Sequence, residues 1–309
     1  MKIFAAPLQG YTESAWRTAH AEIFGPDGRP DAYFAPFLRV EKGDVRARDL
    51  RDLAAGPDAT VPQIIFRDTD EFSLLADTLA QAGYRHIDLN LGCPFPPQCH
   101  KGRGAAMVGR TDVLEAVAGR MAAMPGIDFS VKMRLGLENP DEWRSSIAVI
   151  DSMPLTHITV HPRIARQQYK GVLHLDQFAR LLKSVSTPVV FNGDITTPAD
   201  IAAVEARFPA LHGVMTGRGL LASPWLIAEY RSGTAWTPRQ RLDALLAMHE
   251  RIYTTYSRTL CGDTQLLAKL LPFWEYPAVH LPRKAFKAIL KSRTVADYLR
   301  AVSQLTEII

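Results

Sequence analysis

The chain has 309 residues, 47% hydrophobic and 22% charged, a composition that excludes a disordered chain and suffices for one large domain plus a smaller one. Its three cysteines, Cys93, Cys99 and Cys261, lack Cys-x-x-Cys spacing, which argues against a disulfide framework or a zinc ribbon. The net charge of +4 is uneven: from Thr237 onward eleven basic residues face six acidic ones, whereas the chain before it is close to neutral at −1, so the tail is either a solvated helix surface or a polyanion site.

In chain order, eight short apolar runs rich in β-branched and aromatic residues recur about every 25 residues: 2–7, 32–37, 61–66, 86–91, 129–135, 157–162, 188–195 and 213–218. Helical patterns separate them, as in 70–83, where Asp70 suits an N-cap and Gly83 a C-cap, and in 111–124. Such alternation predicts a (β/α)8 TIM barrel over residues 1–232. An open doubly wound sheet is the alternative, weakened by the absence of a Gly-x-Gly-x-x-Gly motif after the first strand. Residues 231–238 read as a linker, and 237–309 as a smaller all-helical C-terminal domain. There, 283–293 sets Arg283, Lys284, Lys287 and Lys291 opposite Phe286, Ile289 and Leu290. No stretch resembles a signal peptide or reaches the roughly 18–20 apolar residues of a membrane span, so a cytoplasmic protein with no membrane contact is expected.

In a barrel the chemistry sits at the C-terminal ends of the strands. Those ends here carry Pro7 and Gln9, Gln63, Asn90 and Cys93, Lys132 and Arg134, His161 and Arg163, Asn192 and Asp194, and Gly217 and Arg218. Each alone has a structural explanation; their convergence on one rim predicts a site. The glycines after strands 7 and 8, with Arg218, suit a phosphate. Lys132 would stabilise negative charge on a flavin, an enolate or a carboxylate, and Gln63 and Asn90 would hydrogen-bond a planar heterocycle. Cys93 has no matching set of metal partners, so no metal is expected; a packed core cysteine is the default for the residue type, but Pro94 and the glycine-rich loop put it at a strand exit, where it reads as a nucleophile if its pKa is depressed, or as a proton donor if it keeps the free-thiol value of about 8.5.

Six ordered motifs extend this reading. "APLQGYTESAWR" (6–17), "DLNLGCP" (88–94), "VKMRLG" (131–136), "HPRIARQQYKG" (161–171), "NGDI" (192–195) and "TGRG" (216–219) resemble, in order, those of the tRNA-dihydrouridine synthases. That resemblance implies an FMN barrel, reduced by NADPH, that converts uridines of the tRNA D-loop to 5,6-dihydrouridine, with hydride going to C6 and a proton from Cys93 to C5. It implies FMN contacts at Pro7, Gln63, Lys132, His161, Asn192, Asp194, Gly217 and Arg218. Asn90, Arg134, Arg163 and Tyr169 would hold the uracil and its nucleotide; Lys101, Arg103, Lys284, Lys287 and Lys291 would meet the tRNA, bound by a monomer. Three positions depart from the family's pattern: Glu13 stands for Asp, Pro162 for Gly and Ala165 for a basic residue. Two other classes stay open, an FMN barrel reducing a free pyrimidine or small enone and a non-enzymatic RNA-binding module.

Overall fold

Side chains along a strand point alternately to two faces, and in the computed structural model, which describes residues 1–307, the apolar runs use that alternation to close a barrel. The strands are β1 (Lys2–Ala5), β2 (Ala32–Phe34), β3 in two pieces (Thr60–Val61 and Gln63–Ile64), β4 (His86–Leu91), β5 (Asp128–Gly136), β6 (Leu155–Ile164), β7 (Val189–Asn192) and β8 (Gly213–Thr216). All pair in parallel with their sequence neighbours, and β8 returns to β1 through Lys2↔Gly213 to Ala5↔Thr216. The break in β3 falls at Pro62, which has no N–H to give a ladder. The piece before it pairs with β2 and the piece after it with β4, while the Pro62 carbonyl still accepts from the Asp88 N–H at 2.9 Å.

The outward faces of the strands, with Ile87, Leu89, Leu91, Val131, Met133, Ile158 and Val160, belong to one apolar cluster shared with the surrounding helices. Inside the barrel the two halves differ. Phe4, Ala6, Phe34, Val61, Val190 and Met215 form a small apolar cluster of their own. By the same alternation, the inward positions of β4, β5 and β6 are His86, Asp88 and Asn90, then Ser130, Lys132 and Arg134, then His157, Thr159, His161 and Arg163. A half-polar barrel interior thus runs beneath the rim.

The predicted helix at 70–83 spans Thr69–Gln81, and its N-cap is Asp68, not Asp70. Asp68 has the extended backbone that a cap requires and accepts from the Glu71 N–H at 2.9 Å, whereas Asp70 lies in the first turn. Gly83 follows the helix at φ +93°, a left-handed terminus that glycine adopts without strain. Between β2 and β3 the chain adds a hairpin, Val40–Glu41 with Asp44–Val45, and a helix, Ala47–Ala54, which the strand count alone does not anticipate.

After Ser232 the chain turns through Gly233 in the left-handed conformation. From Pro238 to Glu307 only helices follow, principally α1 (Pro238–Thr259), α2 (Asp263–Glu275), α3 (Arg283–Leu290) and α4 (Val295–Ser303); the last two residues of the expected 237–309 segment lie outside the described residues. Thr237 and Gln240 form a capping box that starts α1. Leu242, Leu245, Met248, Ile252 and Trp274 belong to the same apolar cluster as the barrel helices, so the segment packs on the barrel rather than hanging from it. Glu13, in the loop after β1, ties the two together. Its carboxylate receives Lys269 Nζ, Tyr256 Oη at 2.9 Å and Arg48 Nη2 at 3.3 Å. Burial alone would raise its pKa, yet these partners hold it below the usual carboxylate range. Among the described residues no helix is long and apolar enough to cross a membrane.

Candidate active site

The C-terminal ends of the strands open into a cavity of about 560 Å³. Pro7, Asn90, Cys93, Lys132, Arg134, His161, Tyr169, Asn192, Asp194, Gly217 and Arg218, all expected at a site, line it together. An apolar side is supplied by Ala6, Leu8, Pro36, Phe37 and Met215.

Cys93 leaves β4 in a loop whose backbone is held from both directions. Its N–H donates to Asn90 Oδ1 at 2.8 Å, and its carbonyl accepts from the Ala105 N–H at 3.1 Å and from Cys99 Sγ at 3.3 Å. A Cβ on residue 104 would stand 2.6 Å from that carbonyl oxygen, and the backbone there has φ +61°; both features require Gly104. Burial pushes the Cys93 thiol up, only partly offset by a backbone hydrogen bond from Phe95, so the group is protonated at neutral pH. That state suits an acid and not a resting nucleophile.

Beneath Cys93 runs a buried hydrogen-bonded chain. Asn90 Nδ2 donates to Gln63 Oε1 at 2.7 Å, Gln63 Nε2 donates to Asp88 Oδ2 at 2.7 Å, and Ser130 Oγ donates to Asp88 Oδ1 at 2.6 Å. Gln63, expected against a cofactor, is fully buried and spends its amide on Asp88 and Asn90; it lies under the cavity and not in its wall. Burial, followed by the neighbouring Arg134, lowers Lys132 to about 8. His161 is also pushed down, first by burial and then by the surrounding cations. Its Nε2 lies 3.2 Å from Arg163 Nη1; guanidinium can only donate, so that nitrogen is the acceptor and the ring proton sits on Nδ1.

Two other expected ligands hold loops in place. Arg163 is buried outside the cavity lining; it meets Asp194 with Nη2–Oδ2 at 2.6 Å and Nη1–Oδ1 at 2.9 Å, and donates to the Gly171 carbonyl. Arg103, expected at an RNA phosphate, is corrected by its burial. It grips Glu71 through Nη2–Oε1 at 2.5 Å and Nε–Oε2 at 3.0 Å and donates to the Val40 carbonyl, so it clamps the Cys93 loop to the helix Thr69–Gln81. Lys101 is exposed, as are Lys284 and Lys287 on α3 and Lys291 at its C-cap. On the opposite side of that helix only Ile289 is fully buried, and Leu290, expected beside it, is exposed.

Tyr169 stands at the mouth, its ring centroid 4.4 Å from the Arg218 guanidinium carbon and 5.5 Å from that of Arg134, a cation–π arrangement. Arg218 also reaches Asp194 at 3.2 Å, and Asn192 Nδ2 donates to the Met215 carbonyl at 2.7 Å. Pro162 lies in β6 where its register with β5 shifts, a position that tolerates the missing N–H, and its carbonyl accepts from the His174 N–H.

Sequence reasoning missed Asp88 and three residues of the helical segment. Asp88 could have been found as a carboxylate two residues before Asn90, on the polar face of a strand whose other face is Ile87, Leu89 and Leu91. Glu275, Tyr276 and Val279, which bring the helical segment into the cavity wall, carry no local signal of their own. Tyr11 Oη donates to Glu275 Oε2 at 2.6 Å and its ring packs edge-on against Tyr276. Among the described residues no group of three or more His, Cys, Asp or Glu is arranged to hold a metal ion.

Comparison with known proteins gives this geometry its relatives. The "Probable tRNA-dihydrouridine synthase 2" of Bacillus subtilis (strain 168) is 26% identical over 263 residues, covering 82% of this chain and 78% of the relative. A "Probable tRNA-dihydrouridine synthase" of Mycobacterium tuberculosis (strain ATCC 25618 / H37Rv) is 34% identical over 158 residues, 50% of this chain and 40% of the relative. Among solved structures, morphinone reductase shares the fold, with a TM-score of 0.50 and 11% identity over 76% of this chain and 87% of that one. Since the model of the family described as "Dihydrouridine synthase (Dus)" matches residues 4–262, the whole barrel rim and the start of the helical segment, the chain belongs to the dihydrouridine synthase family and is an oxidoreductase.

Proposed function

We propose that the protein reduces particular uridines of the tRNA D-loop to 5,6-dihydrouridine, with FMN as the bound carrier and NADPH as reductant. The observation that carries this reading is a protonated thiol, Cys93, facing the same cationic cavity as Lys132 and Arg134 in a chain of this family. The relatives from Bacillus subtilis and Mycobacterium tuberculosis are named as probable tRNA-dihydrouridine synthases.

The residues fit a flavin mononucleotide. The cavity has the size of ordinary cofactor pockets, about 300–1,000 Å³, an apolar side for a planar ring, and four cations on or behind its wall, Lys132, Arg134, Arg163 and Arg218. Pro7, Lys132, His161, Asn192, Gly217 and Arg218 would hold it, the glycine loops after β7 and β8 taking the phosphate. Asp194 contributes by fixing Arg163 and Arg218, and Gln63 by fixing Asn90. When bound and reduced, the flavin supplies a hydride to C6 of the uracil.

The remaining chemistry belongs to the protein. The Sγ–H bond of Cys93 breaks as a C5–H bond forms, and the thiolate left behind is balanced by Lys132 and Arg134 until solvent reprotonates it. Tyr169 and Arg134 would hold a uracil flipped from its stack, with Asn90 keeping the Cys93 backbone in position. Residues 1–232 act as the catalytic barrel, and residues 237–309 grip the tRNA backbone through Lys284, Lys287 and Lys291, with Lys101 beside the cavity loop.

The test is anaerobic. The flavin of the purified protein is reduced with NADPH and its reoxidation followed optically after adding tRNA lacking dihydrouridine, with free uracil in parallel. Reoxidation by tRNA alone, with a two-hydrogen mass gain in a D-loop fragment, is the expected result. Reoxidation by uracil alone would move the protein to small-molecule reduction, and a preparation without flavin would overturn the reading.

A further inference from the structure

Asp88 has no task in the chemistry above. It is fully buried on the inward face of β4, and the register sets it opposite Ser130 and sets Asn90 opposite Lys132. The carboxylate and the ammonium are therefore diagonal neighbours across two rungs of the same inner face. Gln63 Nε2 and Ser130 Oγ satisfy the two oxygens, but both donors are neutral, and a carboxylate this deep is costly unless a cation balances it.

The charged and titratable groups around the pair leave one candidate for that cation. On β4, His86 Nε2 lies 3.0 Å from Ser130 Oγ and is itself pushed towards neutrality by burial. Arg134 on β5 disfavours the Lys132 ammonium, as like charges do, while Asp88 and Cys93 favour it. On β6, His157, set opposite Ser130 by the register, and His161 are both pushed towards neutrality, first by burial, and β3 offers only the amide of Gln63. Of these, Asp88 is the only carboxylate.

We propose that Asp88 is a positioning residue for the reaction, its charge keeping Lys132 protonated in the cavity wall and its hydrogen-bonded chain through Gln63 and Asn90 holding the Cys93 backbone. The catalytic consequence rests on the reading of Lys132 given above; the electrostatic link does not. Burial raises Asp88 to about 6 and lowers Lys132 to about 8. Asp88 is ionised above the first value and Lys132 protonated below the second, so the two charges coexist between them; below about 6 Lys132 keeps its proton even beside a neutral Asp88, so the charge link predicts an alkaline limb only, uridine reduction falling as pH rises through about 8.

Asp88→Asn isolates the charge. The substituted amide accepts from Gln63 and donates to Ser130 Oγ, whose hydroxyl turns to His86, so every hydrogen bond survives by reversal. The protein as purified, with 13C-labelled lysine side chains, is titrated by NMR, and Lys132→Arg assigns the resonance. In Asp88→Asn the Lys132 midpoint should fall by about one pH unit, tenfold in proton affinity. In the unsubstituted protein the same resonance should show an acid step near pH 6 that the variant lacks. An unmoved midpoint in a folded variant overturns the proposal. If the variant does not fold, the absence of the acid step in the unsubstituted protein overturns it alone. The titration needs neither tRNA nor turnover, so a protein without flavin would sink the reading of function and leave this test standing.

Discussion

Cys93 and Cys99 lie six residues apart, yet the geometry gives them different work. Cys99 spends its thiol on the Cys93 carbonyl, while Cys93 presents its own to the cavity. Cys93→Ala should keep its flavin absorbance and lose uridine reduction by about 10²- to 10⁴-fold, the contribution of a positioned acid, whereas Cys99→Ala should stay within a few-fold of the unsubstituted rate. Single-turnover reoxidation by tRNA separates the two; full activity in Cys93→Ala would hand the proton to Cys99 or to solvent. At this scale the sequence was informative about side chains that face the cavity and silent about what supports them. Gln63 and Arg103 read as ligands because amides and guanidinium groups near a rim usually meet something. What they meet is Asp88 and Glu71, carboxylates whose burial is set by strands and helices distant in sequence.

The loop from Cys93 to Gly104 is the element on which the site depends, and its clamp is the buried Arg103–Glu71 pair. Removing Arg103 leaves Glu71 with the exposed Arg67, whose Nε lies 3.2 Å from Oε1 and whose backbone N–H donates to Oε2 at 3.1 Å, so the loss should fall below the roughly 3–5 kcal/mol of a buried charge left wholly unpaired. Arg103→Ala should therefore lower the denaturation midpoint and weaken the site together, and guanidinium titration with m unchanged would identify the loss as stability alone. The eight βα units were legible because period-two and period-3.6 patterns are local properties of the chain. The N-cap at Asp68 was not, because two aspartates compete there and only backbone conformation chooses between them. The division of the third strand was hidden for a related reason: the run 61–66 reads as one strand with Pro62 inside it, and only the pairing of its two halves with different neighbours shows the interruption.

Over the whole molecule, the net basic excess lies in the tail while the cavity is lined mainly by the barrel. Lys284 and Lys287 on α3 and Lys291 at its C-cap stand exposed and take no part in the cavity lining, so replacing all three with alanine should raise the KM for tRNA and flatten its salt dependence. Flavin reduction by NADPH should be unchanged, and unaltered tRNA kinetics would remove α3 from the binding surface. The tail also has a second role that its composition does not announce. Glu275, Tyr276 and Val279 complete the cavity, and Lys269 and Tyr256 fasten the same segment to Glu13 beside the first strand. On the proposed tRNA-binding role of this segment, a chimera that borrowed its last seventy-odd residues from a relative would inherit a foreign patch of pocket along with a foreign grip on RNA, so affinity for the polymer and fit for the base should not be exchangeable independently by trading tails.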